Sequence, residues 1–309
     1  MFVVCGEALM DVFAVGETAT GVALDARVGG SPFNVAIGLA RLKQPVAFLA
    51  SVSRDFLGDR LLRALDEEGV RIDTVRRVAA PTTLSLVGLN AAGVPSYAFL
   101  GHGAADRELD ASALDTLPAA TQAIHIGSYA TVVEPVASSL RQLIQRDRDR
   151  RLIAYDPNVR LNVEPDLERW RATLDWMLPR CHLLKISEED LNLLHPGVSP
   201  QVFIGQAIDR GVQMVVVTLG SEGALGATRA ASAQARARPV TVVDTVGAGD
   251  TFQAALLAWL AERGALGATA LPTLTAGDLG GALDFAAAAA AITCSRRGAD
   301  MPRRAELGS

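Results

Sequence analysis

Val240-Thr-Val-Val-Asp244-Thr-Val-Gly247-Ala248-Gly249-Asp250-Thr251-Phe252 runs straight into Gln253-Ala-Ala-Leu-Leu-Ala-Trp-Leu-Ala261. An extended apolar run meets a turn of small residues and then a strong helical pattern. Gly247, Ala248 and Gly249 leave the first amides of that helix uncovered, and unpaired N–H groups at the positive helix end form an anion site. Asp250 stands at the same end. A lone Asp or Thr at a helix start is commonly a cap. Here two glycines and two acids flank one helix start, which favours a second reading. A carboxylate beside an anion nest can take a proton from a hydroxyl as that hydroxyl attacks a phosphoryl group.

Outward from this stretch, short apolar runs alternate with helical ones. Residues 2–5, 46–51, 123–126, 152–155, 182–186 and 214–218 read as buried strands, each ended by Gly, Asp, Ser or Pro. Residues 32–42, 57–68, 134–148, 166–178 and 200–210 carry apolar residues at helical spacing. Such alternation predicts a three-layer α/β fold, a mostly parallel sheet with helices on both faces. Two segments, about 12–28 and 82–100, break the rhythm with alternating strands, Gly turns and no helix between. They read as a small antiparallel β lid made of two excursions from the strands' carboxyl ends, where ligands bind in open α/β sheets. The alternative is a pair of surface hairpins that do not move. No repeat or linker divides the 309 residues, so a single domain is expected.

Composition removes several function classes. The chain is 50% apolar and 20% charged with a net charge of −5, unlike a disordered chain and without the basic footprint of a nucleic-acid binder. Lysine occurs only at Lys43 and Lys185, the other 27 basic side chains being arginine. Neither lysine completes G-x-x-x-x-G-K-[ST], so a nucleotide would be held without a P-loop. Cys5, Cys181 and Cys294 are far apart and form no C-x-x-C pair, as expected of reduced thiols. The most apolar stretch, residues 285–294, is about half of what a membrane span needs. With no positive region or signal pattern at the start, a soluble cytoplasmic protein without membrane or nucleic-acid partners is expected.

Two further turns carry polar candidates. Val215-Val-Val-Thr218-Leu-Gly220-Ser-Glu-Gly223 is a strand running into a T-x-G-x-x-G turn, where glycines admit close approach of a nucleotide. Gly29-Gly30-Ser31-Pro32-Phe33-Asn34 opens a helix, and Asp11 follows the first strand. Asp, Asn and free amides suit a polyhydroxylated ligand, because hydroxyls both donate and accept. The same segment also reads as a Gly turn with Ser31 as N-cap and Pro32 at the first helical position. The two readings are compatible.

Together these motifs resemble the ribokinase-like (PfkB) family of carbohydrate kinases over essentially the whole chain. Gly29-Gly30-x-x-x-Asn34-x-Ala36, with Gly58-Asp59 beyond it, matches the N-terminal pattern, and Asp244-Thr-Val-Gly247-Ala248-Gly249-Asp250 the C-terminal one. The resemblance implies ATP-dependent phosphorylation of a sugar hydroxyl, with Asp250 as base and Gly247, Ala248 and Gly249 as anion hole. It implies that Thr218, Gly220 and Gly223 line the nucleotide, and that Asp11, Gly29, Gly30 and Asn34 bind the sugar. The family's N-x-x-E element, tied to Mg²⁺ through water, falls on Ser187 and Asp190, with Glu188 beside them. Asp244 and the Val246 carbonyl match positions used for a monovalent cation such as K⁺. Lys185 is a candidate point charge for the ATP phosphates, and Arg160 a planar fork for a phosphate or a sugar acid. Family lids commonly pair, so a homodimer through Val12, Phe13, Leu86, Val87 and Phe99 is expected.

Within the family, Gly29-Gly30-Ser-Pro-Phe-Asn34-Val-Ala, Asp156-Pro157-Asn158-Val159-Arg160 and Lys185-Ile186-Ser187-Glu188-Glu189-Asp190 are most similar to bacterial fructokinases. Ketodeoxygluconate kinases share the Asp-x-Asn-x-Arg element. Ribokinase, nucleoside kinase and a non-catalytic sugar-binding regulator stay open as alternatives.

Overall fold

The computed structural model of the chain describes residues 1–89, 95–267 and 269–308. In chain order the elements are β1 (Phe2–Cys5), β2 (Leu9–Thr18), β3 (Gly21–Gly29), α1 (Ser31–Arg41), β4 (Val46–Leu49), β5 (Ser51–Ser53), α2 (Phe56–Glu67), β6 (Arg76–Val78), β7 (Leu84–Leu89) and β8 (Pro95–Leu100). There follow β9 (Ala123–Gly127), α3 (Val136–Asp147), β10 (Leu152–Asp156), α4 (Leu167–Met177), β11 (Leu183–Ser187), α5 (Glu188–Leu194), α6 (Pro200–Asp209), β12 (Met214–Thr218), β13 (Ala224–Thr228), β14 (Ser232–Ala235), α7 (Ala248–Glu262) and α8 (Ala276–Cys294).

The main sheet has the order β14-β13-β12-β11-β10-β9-β1-β4. From β4 to β12 all pairs are parallel, and β13 and β14 close one edge antiparallel. Its parallel strands are apolar on both faces because helices cover both. Phe2 and Val4 of β1 join the core under α1, α7 and α8, whereas Val3 and Cys5 join the one under α3, α4 and α6. The expected six strands are present with shifts of a residue. The run expected over 46–51 divides into β4 and β5 around Ala50, because β5 leaves the main sheet to pair with β6.

The second, smaller sheet has the order β3-β2-β7-β8. Its β2–β3 and β7–β8 pairs are antiparallel, and the two are joined by a parallel β2–β7 pair. That mixed seam follows from topology, since β2 and β7 both run outward, each as the first arm of its excursion. Residues 90–94, part of the second expected excursion, lie outside the described residues.

Two helices fix the geometry of the site, and glycine lets them do so. A Cβ at Gly38 of α1 would stand 2.7 Å from Ala254 Cβ of α7 and 2.7 Å from Met301 Sδ. Glycine in a helix forgoes about 1 kcal/mol relative to Ala, so its presence here reflects the close crossing. Gly38→Leu is therefore expected to destabilise the fold by about 1–3 kcal/mol or more through overpacking. A lowered urea midpoint is the expected result, and an unchanged midpoint would sink the close-packing argument.

Candidate active site

The helix start singled out by sequence is built as expected, with one addition. Gly247 is the N-cap of α7 at φ 76°, a left-handed conformation that glycine adopts without steric cost. Gly249 is exposed and Gly247 and Ala248 are half-buried; Ala248 N donates to the Thr245 carbonyl at 3.2 Å, and the Gly247 and Gly249 amides have no partner among the described residues. The preceding loop, 236–247, joins none of the sheets. It is braced instead: Val243 N donates to the Cys294 carbonyl at 2.8 Å, and Asp244 accepts from Val246 N at 3.0 Å and from Gly298 N at 2.8 Å. Burial acts to raise the Asp244 carboxyl, but these backbone amides outweigh it and hold the group below its ordinary value. Its visible work is to tie the loop to the chain end, and Val246 beside it is exposed.

Asp250 is 8% exposed on the first turn of α7. Ser31 Oγ donates to its Oδ1 at 2.6 Å and Asn34 Nδ2 to its Oδ2 at 2.8 Å. Burial raises the carboxyl above its ordinary value, against the Ser31 and Asn34 hydrogen bonds and the Arg160 and Lys185 charges. Capping does not explain Asp250, because α7 takes no side-chain cap bond and its N-cap is Gly247. At α1 the expected cap also moves. Gly30 is the N-cap, Ser31 is the first helical residue and Pro32 the second, and no side chain caps this end. The Ser31 hydroxyl is turned across the molecule to Asp250 instead.

Asp11 enters from β2 of the small sheet, where the register sets it opposite Arg27, two residues before Gly29. A Cβ at Gly29 would stand 2.3 Å from Asp11 Oδ2, so the missing side chain makes room for the carboxylate. Burial raises Asp11, while the Ser85 hydroxyl of β7 and Arg160 act the other way and Asp250 adds like-charge repulsion. Arg160 is exposed and donates to its neighbour's carbonyl, Val159 O, at 2.9 Å. Its charge acts on Glu7, Asp11, Asp190 and Asp250 together, which places it centrally among the site's acids.

Lys185 lies within β11, 4% exposed, on the face turned toward α7. Nζ donates to Asp156 Oδ2 of β10 at 2.8 Å, and a Cβ on Gly249 would stand 3.2 Å from that Nζ. Burial alone would lower the ammonium, but the Asp156 carboxylate outweighs it and the group stays charged. The cation thus sits directly under the anion nest while already carrying an acidic partner. Ser187 Oγ accepts from Asp190 N at 3.0 Å and caps α5, so the hydroxyl is engaged by its own helix. Asp190 is buried and accepts from Val159 N at 3.2 Å; burial first, and then the neighbouring Asp156 charge, push it up to about 6. Glu188, the first residue of α5, is half-buried. Thr218 ends β12 opposite Ser187, and Gly220 and Gly223 form the turn beyond it.

Among the described residues no group of three or more His, Cys, Asp or Glu could hold a metal ion. Asp156 Oδ1 is buried and without a hydrogen-bond partner among the described residues, and Asp190 lies beside it. That donor set fits a hard cation carried on phosphates and touched through water, not an all-protein cage. Sequence reasoning missed Asp156 and Glu7 as site groups. Glu7, 1% exposed at the β1–β2 junction, is pushed up to about 8 by burial first and then by the Asp106 charge, against its Ser128 hydrogen bond. The adjacent strand-ending turn, Cys5-Gly6-Glu7, was the available signal for it. No helix of the described residues is long and apolar enough to cross a membrane.

The same fold recurs in known proteins. The family described as pfkB family carbohydrate kinase matches residues 1–305. A fructokinase of Rhizobium leguminosarum bv. trifolii is 33% identical over 260 residues, 84% of this chain and 79% of that protein. The crystal structure of a fructokinase from Xylella fastidiosa with bound ATP has a TM-score of 0.87 at 27% identity and covers 99% of this chain and 96% of the other. A Vibrio cholerae O395 fructokinase in a form with bound fructose, ADP and calcium ion has a TM-score of 0.82 at 27% identity, covering 99% and 97%. This chain belongs to the pfkB family of carbohydrate kinases.

Proposed function

We propose that the protein is a fructokinase working as one domain, transferring the γ-phosphoryl group of ATP to a hydroxyl of fructose. One observation carries the reading. A buried carboxylate, Asp250, stands at the open amide nest of α7 and is held from two sides by α1. Asp250 takes the hydroxyl proton as the oxygen attacks the γ-phosphorus and ADP departs. The unpartnered amides of Gly247 and Gly249, with Ala248 between them and the Lys185 charge beneath, hold the negative charge that builds on the transferring group. Asp11, Gly29, Gly30 and Asn34 hold the sugar. Thr218, Gly220 and Gly223 line the nucleotide. Mg²⁺ supplies charge neutralisation on the phosphates, with Asp190 and Glu188 the nearest acids for its waters, Ser187 being engaged as a cap. Asp244 and Val246 fix the loop where K⁺ would lie.

The small sheet serves as the lid, excluding water that would otherwise accept the phosphoryl group. A homodimer through the lid would use the half-buried Phe13, Leu86, Val87 and Phe99 of the expected set. Val12 is buried, whereas Val15, Val22 and Leu24 are 56–59% exposed. A second substrate reading has its own support in Arg160. An exposed guanidinium among four acids suits the carboxylate of a sugar acid such as ketodeoxygluconate. Turnover measured with Mg-ATP against fructose, ketodeoxygluconate, ribose and adenosine tests both. The highest kcat/KM with fructose is the expected result, and a preference for the sugar acid would replace it.

A further inference from the structure

The Ser31 hydroxyl has no helix-capping work, is nearly buried, and reaches a residue 219 positions away in the chain. Its bond goes to Oδ1 of Asp250 alone. Oδ2 has a different kind of partner, the side-chain amide of Asn34, which is half-buried and open to the sugar side. The two oxygens are thus distinguished by what an arriving hydroxyl can displace. Asn34, half-buried, can turn its amide to the ligand, whereas the Ser31 hydroxyl is buried and its donor bond is to Asp250. We propose that Ser31 is a positioning residue for the base, pinning Asp250 Oδ1 so that Oδ2, released by Asn34 when sugar binds, is the oxygen that receives the proton. The O–H bond of the sugar breaks as its proton passes to Oδ2, its oxygen bonds to the γ-phosphorus, and the bond to the β-phosphate oxygen breaks to release ADP.

The inference rests on the reading of Asp250 as base. A hydroxyl that donates to a carboxylate favours its charged form, so its removal raises the pH at which the base becomes protonated. The charged groups facing Asp250 are Arg160 from the segment after β10, Lys185 from β11 and Asp11 from β2. None of them is a hydrogen-bond partner of Ser31, and Asp190, which burial pushes up to about 6, bonds instead to Val159 N. The difference between parent and variant profiles therefore isolates Asp250.

The test is Ser31→Ala, with Ser31→Gly as a second variant should the first melt early, assayed for kcat, KM and the acid limb of the rate profile. The expected result is a kcat lowered roughly tenfold or more, a KM for sugar within about threefold, and an acid limb moved to higher pH. An unchanged kcat and limb in a folded variant would overturn the proposal, as would a rise in KM alone, which would make Ser31 a sugar ligand. Asp250→Asn run beside it separates the two failures. If that variant keeps its turnover, the base assignment fails; if it loses turnover while Ser31→Ala behaves as the parent, only the role of Ser31 fails.

Discussion

Asp250→Asn is expected to keep the fold and sugar affinity and to lose turnover by about 10²–10⁴-fold, the range over which a positioned base contributes. The substitution is nearly isosteric, and the surroundings can accept it. The introduced carboxamide turns its oxygen to the Asn34 amide and its NH₂ to the Ser31 hydroxyl, which accepts as well as donates. The Ser31 proton then loses its acceptor, at a cost of about 1–3 kcal/mol, so the fold should hold and the main loss falls on the proton acceptor. Calorimetry with sugar alone and steady-state turnover check the two halves separately. Turnover within tenfold of the parent would refute the base assignment.

Lys185→Ala is the second large effect, and it falls on stability. The pair with Asp156 is buried at both ends, 4% and 1% exposed, and only one carboxylate oxygen of Asp156 is engaged. Deleting the lysine strands that carboxylate in a sheet interior. Breaking a buried pair from one side costs about 3–5 kcal/mol, well above what the lost methylenes of an aligned stem would suggest. A large drop in urea midpoint is expected. Lys185→Met with Asp156→Asn should recover part of it, because the stranded charge is then gone. A single variant within about 1 kcal/mol of the parent would show that the pair contributes little.

These two residues mark how far the sequence could be read. The alternation of runs was enough for the layered α/β core, since burial on both sheet faces imposes uninterrupted apolar strands. The edge strands β13 and β14 went unread because their sequences, ALGAT and SAQA, carry small residues without a period. The site divides in the same way. Glycine and Asp250 at a helix start announce themselves locally, by spacing. Lys185 stood out by rarity, yet its partner lay 29 residues away on a neighbouring strand, and pairing across a parallel sheet leaves no local mark. Ser31 was legible as a helix-start residue but not as the partner of Asp250. A cap and a long-range donor look alike until two helices are brought together.

The close crossing of α1 and α7 also has a consequence for synthesis. Ser31 leaves the ribosome 219 residues before Asp250. At about 5–20 residues per second, that is roughly 10–40 s during which the Gly38 face of α1 has no α7 to cover it. For that interval the nascent chain carries an unsheltered apolar helix, and a holdase chaperone would find its binding site at the N-terminal end of the emerging polypeptide.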